Sequence, residues 1–202
     1  QTQEEVTPNT IFAIGSTTKA FVATGIAMLV EDGKIEWDEP VQTYMSDFKL
    51  KDPFASQQTT ALDLLTHRSG LPRHDILWYG SDFTRNQLFE RLQYLEPSKS
   101  FRTTFQYQNL MYMSAGILIE RMSDMTWEEF TAQRIFEPLD MSSSNFSVEE
   151  SKKVDDFALP YQVVDDSIVE MPFRNIDAIG PAGSINSNLD DMLEWVQFNL
   201  EQ

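Results

Sequence analysis

The first apolar run of the chain, Thr10-Ile11-Phe12-Ala13-Ile14, is short and β-compatible and stops at Gly15; Ser16 then opens a long apolar segment that closes at Asp32-Gly33. This order predicts an extended piece, a tight turn and a buried helix. Three further helices are marked by a hydroxyl followed three residues later by a carboxylate, the spacing of a capping box. They are Thr60 with Asp63 ahead of Leu64 and Leu65 and around Leu62, Thr126 with Glu129 ahead of Phe130, Ile135 and Phe136, and Ser187 with Asp190 ahead of Leu193, Trp195 and Val196. Thr84 before Leu88, Phe89 and Leu92 predicts a fourth helix without a box, and Asn109 to Met122 a fifth, with Met113, Ile117 and Met122 on or near one face. After the Thr126 helix, Pro138, Pro160, Pro172 and Pro181 break the pattern among the pairs Glu149-Glu150, Asp155-Asp156 and Asp165-Asp166. That stretch reads as a solvated surface excursion, with a specificity loop or a weak cation site as the alternatives. No repeat or low-complexity tract interrupts the chain, so one continuous domain is the simplest organisation.

Composition narrows the function. The 202 residues are 41% hydrophobic and 23% charged, which suits a globular chain with its own core. A formal charge of -17 repels phosphate backbones and anionic membranes, which argues against nucleic acid as a partner. The imbalance is uneven, -4 over residues 1–102 and -13 over residues 103–202. With no cysteine there is no disulfide framework and no thiolate nucleophile. No apolar run reaches the roughly 18 residues of a membrane span, and the chain begins at Gln1 without a leader, as a processed or truncated chain does.

The chemistry concentrates at Ser16-Thr17-Thr18-Lys19. With Ser16 at the first turn of a helix, Lys19 lies one turn on near the same face, so its amine can reach the serine hydroxyl. A serine hydroxyl attacks only when a neighbour takes its proton, and a lysine can do so if burial or another cation lowers its pKa. The helix N-terminus adds free N–H groups where an oxyanion would form. The spacing alone is weak, since composition gives about 0.6 such pairs by chance, and Ser46-Asp47-Phe48-Lys49 repeats it in a polar loop. The competing role for Ser16 is a plain N-cap. Tyr107-Gln108-Asn109 follows: a phenol and a carboxamide two apart point the same way from an extended segment. Tyr107 could share proton transfer and Asn109 could hold a substrate amide; the alternative is a buried Tyr and a helix cap. His67 and His74 have no third ligand at a metal spacing, and no nucleophile elbow, Walker loop or dinucleotide fingerprint occurs. Asn145-Phe146-Ser147 fits a glycosylation acceptor, a common pattern that carries weight only in a eukaryotic secreted chain.

Several segments in order resemble the serine β-lactamase and penicillin-binding protein superfamily, in its class C-like branch of D-alanyl-D-alanine carboxypeptidases, D-amino peptidases and esterases. They are Thr7-Pro8-Asn9-Thr10, Ile14 to Phe21, Leu29 to Ile35, Leu64-Leu65-Thr66-His67-Arg68-Ser69-Gly70-Leu71-Pro72, Tyr107-Gln108-Asn109, Ile135 to Met141, and Pro181-Ala182-Gly183-Ser184. The resemblance implies an α+β fold of that type, of which this chain is mainly the helical region without the N-terminal and C-terminal sheet strands. It implies Ser16 as the acylated nucleophile, Lys19 as its proton-accepting partner, Tyr107 as general base or shuttle and Asn109 as a substrate-orienting amide, with His67 to Pro72 a structural turn. No metal and no cofactor is implied, the partner is a small-molecule or peptide-like substrate, and the setting is periplasmic or extracellular.

One departure qualifies this. The family's third motif, a Lys or His followed by a small residue and Gly, has no counterpart after Asn109. The expectation is therefore a single incomplete serine-hydrolase domain over residues 1–202, one oxyanion donor short, and such a loss costs about 100- to 1,000-fold in rate. The parent protein is expected to be a serine hydrolase acting through an acyl-enzyme on amide, β-lactam or ester carbonyls; a non-catalytic binding module that keeps the fold is the alternative.

Overall fold

A computed structural model describes residues 5–201. Its first elements follow the opening pattern: strand β1 (Phe12–Ala13), a single 3-10 turn (Gly15–Thr17) and helix α1 (Thr18–Glu31). Gly15 makes the corner at φ +52°, a left-handed conformation that costs a glycine little. Helices α2 (Pro53–Gln58), α3 (Ala61–Leu65) and α4 (Arg85–Arg91) precede the long α5 (Asn109–Ser123). Helix α6 (Trp127–Thr131) runs on into a π-turn, Ala132–Phe136, and α7 (Val148–Ser151) is a single turn. Strands β2 (Tyr161–Val164) and β3 (Ser167–Glu170) form an antiparallel hairpin, and β4 (Asn186–Ser187) leads into α8 (Leu189–Leu200). Strand β4 pairs antiparallel with β1, Phe12 opposite Ser187 and Ala13 opposite Asn186.

Helix α5 is the hub. Every residue from Asn109 to Ile119 is buried, so the one-faced pattern expected around Met113 and Ile117 understates it; a helix apolar on all sides belongs inside a core. Against it pack Phe21, Val22, Ile26 and Leu29 of α1 and Trp127 and Phe130 of α6. Full burial of each such side chain contributes about 1.5–3 kcal/mol relative to exposure. Trp195 of α8 stacks on Phe21 at 4.0 Å between ring centroids, closing the core from the C-terminal side.

The boxes at Thr60 and Thr126 form as expected. Thr84 has one too, with Gln87 in the acidic position: an amide serves the N-cap N–H as a carboxylate does. The third expected cap slips by one residue. Asn188, not Ser187, caps α8 and accepts from the Asp191 N–H, because Ser187 is committed to pairing with Phe12. Of Leu193, Trp195 and Val196 only Trp195 is buried, and Leu62 of α3 is likewise exposed. The acidic stretch is a surface excursion, its hairpin exposed along both strands.

Gly116 at the middle of α5 lets the turn 177–182 approach. A Cβ there would lie 2.7 Å from Pro181 Cβ, inside van der Waals contact. Gly116→Ala should therefore destabilise the protein by about 1–3 kcal/mol, an overpacking cost readable by urea denaturation, even though alanine is the better helix former.

Candidate active site

Four residues predicted from separate segments meet at one point. The 3-10 turn before α1 presents Ser16 to solvent, and Lys19, one turn further on, is 7% exposed. The extended approach to α5 brings Tyr107 across, its hydroxyl 2.5 Å from Ser16 Oγ. Asn109 opens α5 and accepts from Lys19 Nζ at 2.9 Å through Oδ1. Lys19 Nζ also donates to Ser16 Oγ at 3.2 Å and to the Ala182 carbonyl at 2.5 Å. An ammonium has three N–H donors, and here three acceptors meet them. Ser46 and Lys49, the chance copy of the spacing, lie in a loop apart from this cluster.

The electrostatics follow from burial and proximity. Burial holds the Lys19 amine below its ordinary value, assisted by the nearby Arg73 cation and opposed by Tyr107 and Asp75. Burial alone would raise the Tyr107 phenol, but the Lys19 ammonium and the Ser16 hydroxyl outweigh it, so the phenol titrates below its ordinary range. The Tyr107 phenol thus gives up its proton more readily than a free phenol, beside a lysine that holds its own less tightly than usual and next to a serine hydroxyl.

Asn109, expected as a substrate-orienting amide, lies within the cluster. Both ends of its carboxamide are turned inward, Oδ1 to Lys19 and Nδ2 toward Asp75 Oδ1 at 3.5 Å. Its first task in this arrangement is to hold the lysine. Three participants carried no clear signal as residue types. The Ala182 carbonyl is backbone; only the segment Pro181-Ala182-Gly183-Ser184 pointed to its neighbourhood. Asp75 orients Asn109 and receives Trp78 Nε1 at 3.2 Å and Arg73 Nε at 2.6 Å. The third, His67, belongs to a turn read from sequence as structural.

The Ala182 carbonyl is fixed from several sides. Ile185 N–H donates to Thr18 Oγ1 at 3.2 Å, and Ile14 N–H to the Ile185 carbonyl at 3.0 Å, tying this segment to the start of α1. Arg85, mostly buried, donates to the Asp177 carbonyl at 3.0 Å and pairs with Glu120 and Glu128 at 2.5 Å each, so α4, α5 and α6 grip the same turn. Among the described residues no group of three or more His, Asp or Glu side chains is placed to hold a metal ion. No described helix is long and apolar enough to cross a membrane.

This geometry has relatives. A family model described as Beta-lactamase matches residues 1–202, and the chain belongs to that family. It is 32% identical over 203 residues to the unguisins hydrolase of Aspergillus campestris, an alignment covering 94% of this chain and 38% of that protein. The octameric penicillin-binding protein homologue from Pyrococcus abyssi superposes with a TM-score of 0.83 at 30% identity, covering 97% of this chain and 46% of that one. The D-amino acid amidase from Ochrobactrum anthropi shares the fold, with a TM-score of 0.84 at 24% identity over 98% of this chain and 58% of that one. The chain therefore spans between about two fifths and three fifths of the length of these relatives.

Proposed function

We propose that this chain is part of a serine hydrolase that works through an acyl-enzyme on amide, β-lactam or ester carbonyls, with Ser16 as nucleophile. The observation that carries the reading is the 2.5 Å approach of Tyr107 Oη to Ser16 Oγ beside a buried, three-times-bonded Lys19. With all three N–H donors engaged, the ammonium has no lone pair to offer; the phenolate takes the serine proton as Oγ attacks the carbonyl carbon. Lys19 stabilises the phenolate before transfer, and Tyr107 then returns the proton to the leaving amine or alkoxide. Water attacks the acyl-enzyme by the same route and restores Ser16. The Ser16 N–H, at the start of the helix, is the donor available to the oxyanion. The 32% identity to a protein named as a hydrolase supports the same class of reaction.

The test is turnover of chromogenic esters and D-amino acid anilides, with Ser16→Ala as control. A pre-steady-state burst of product that disappears in Ser16→Ala is expected. A folded protein that binds such compounds but gives no burst would favour a binding module built on the same fold.

A further inference from the structure

The loop between α3 and α4 contains a residue that touches three successive positions of the segment carrying Tyr107. His67 accepts the Gln106 N–H on its backbone carbonyl at 2.8 Å. Its ring stacks on the Tyr107 ring, centroids 4.6 Å apart and planes 30° from parallel. Its Nδ1 accepts the Gln108 N–H at 3.0 Å. An imidazole nitrogen that accepts carries no proton, so the ring is neutral and protonated on Nε2. The ring is 8% exposed and also lies against Phe105 and Tyr112, at 5.4 and 5.1 Å.

The backbone makes this placement costly. His67 has φ +58°, the left-handed region that a histidine seldom occupies, and such conformations cost about 1–3 kcal/mol and persist where the surroundings over-determine them. The contacts to residues 106, 107 and 108 help to hold it, beside the Arg68–Arg102 bonds of the same turn.

Resting on the hydrolase reading above, we infer that His67 is a positioning residue for the reaction: as a neutral imidazole it sets the orientation of the Tyr107 phenol toward Ser16 through the ring stack and the Gln108 N–H. Protonation would convert Nδ1 from acceptor to donor, break the bond to Gln108 and leave a cation beneath Tyr107. The titratable groups facing the ring are Lys19 from α1, Tyr107 from the extended segment and Tyr112 from α5; burial first, then the Lys19 charge, hold the imidazole below the ordinary histidine range, and the bond that Nδ1 accepts from Gln108 exists only in that neutral form. The neutral form is therefore kept at neutral pH and lost only in acid.

The experiment compares the 202-residue chain with His67→Leu and His67→Asn. Asparagine tolerates positive φ and sets Oδ1 where Nδ1 accepts, whereas leucine fills space and accepts nothing. The readouts are the saturating rate of Ser16 labelling by a fluorophosphonate, its pH profile, and the ¹⁵N signals of the His67 ring. In His67→Leu the saturating rate is expected to fall about tenfold to a hundredfold with little change in probe affinity, the size of loss that follows misplacing a reacting group by about an ångström. His67→Asn should recover most of that loss and should lack the acidic limb present in the wild type. Ring signals should report the Nε2–H tautomer at neutral pH. Unchanged labelling in both variants, or the Nδ1–H tautomer, would overturn the positioning role while leaving the hydrolase reading intact. Failure of the wild type to label at Ser16 overturns the reading itself, and the role of His67 falls with it. Circular dichroism and thermal melts of His67→Asn separate a folding defect from a positional one.

Discussion

Replacing Lys19 by Met is expected to slow acylation of Ser16 by about 100- to 10,000-fold, the range associated with positioned proton-transfer groups, while the protein stays folded. Lys19 touches every other part of the site: Ser16 Oγ, Asn109 Oδ1 and the Ala182 carbonyl. Removing its charge takes away the cation that keeps the Tyr107 phenol below its ordinary value. Two opposing terms set the stability of the variant. An apolar side chain of similar length no longer pays for burying an ammonium, but three acceptors lose a partner, and the two in buried bonds, Asn109 Oδ1 and the Ala182 carbonyl, carry a penalty of about 1–3 kcal/mol each. The thermal midpoint should therefore move by about 5 °C or less. Labelling kinetics beside a thermal melt check both halves; a Met variant that labels at the wild-type rate would remove Lys19 from the mechanism.

Tyr107→Phe is expected to cost a similar factor, about 100-fold or more, and to change the shape of the pH profile as well as its height. The phenol must be ionised to accept the serine proton. Because its folded pKa is lowered, the ionised fraction grows, and the rate with it, as pH rises through a limb below the ordinary phenol range. Phenylalanine keeps the ring against His67 and Lys19 but has no proton to lose, so that limb should vanish. If it persists in Tyr107→Phe, the group that titrates is Lys19, whose pKa is also lowered, and the order of proton transfer proposed above is reversed.

Much of this site was legible in the sequence because side-chain type and spacing encode it. A serine and a lysine one helical turn apart need only a helix start, and Gly15 with the apolar run behind it announced one. A phenol and an amide two apart need only an extended segment, which the residues before α5 provide. The Ala182 carbonyl was not legible, since any residue supplies a carbonyl and its position depends on Pro181 packing over Gly116 and on Arg85 gripping Asp177. The N-cap of α8 slipped because Ser187-Asp190 and Asn188-Asp191 are equally good pairs locally. Pairing between β4 and β1, a contact across more than 170 residues of chain, decides between them. His67 was hidden for a related reason: a histidine in a turn has no signature of its own, and its importance lies in three neighbours that are nearly 40 positions away.

The expected excursion and the acid-rich second half also find their place. The hairpin 161–170 and the acidic pairs beside it lie on the surface, while of the four clustered side chains Ser16 and Lys19 come from the less charged first half and Tyr107 and Asn109 from the segment that enters α5.

The account rests on Ser16 as a nucleophile, and intact-mass measurement after exposure to a fluorophosphonate tests that most directly. The predicted result is a single phosphonyl adduct that maps by peptide sequencing to Ser16 and is absent from Ser16→Ala. An adduct that persists in Ser16→Ala, or none on the folded protein under conditions that label a known serine hydrolase, would contradict it.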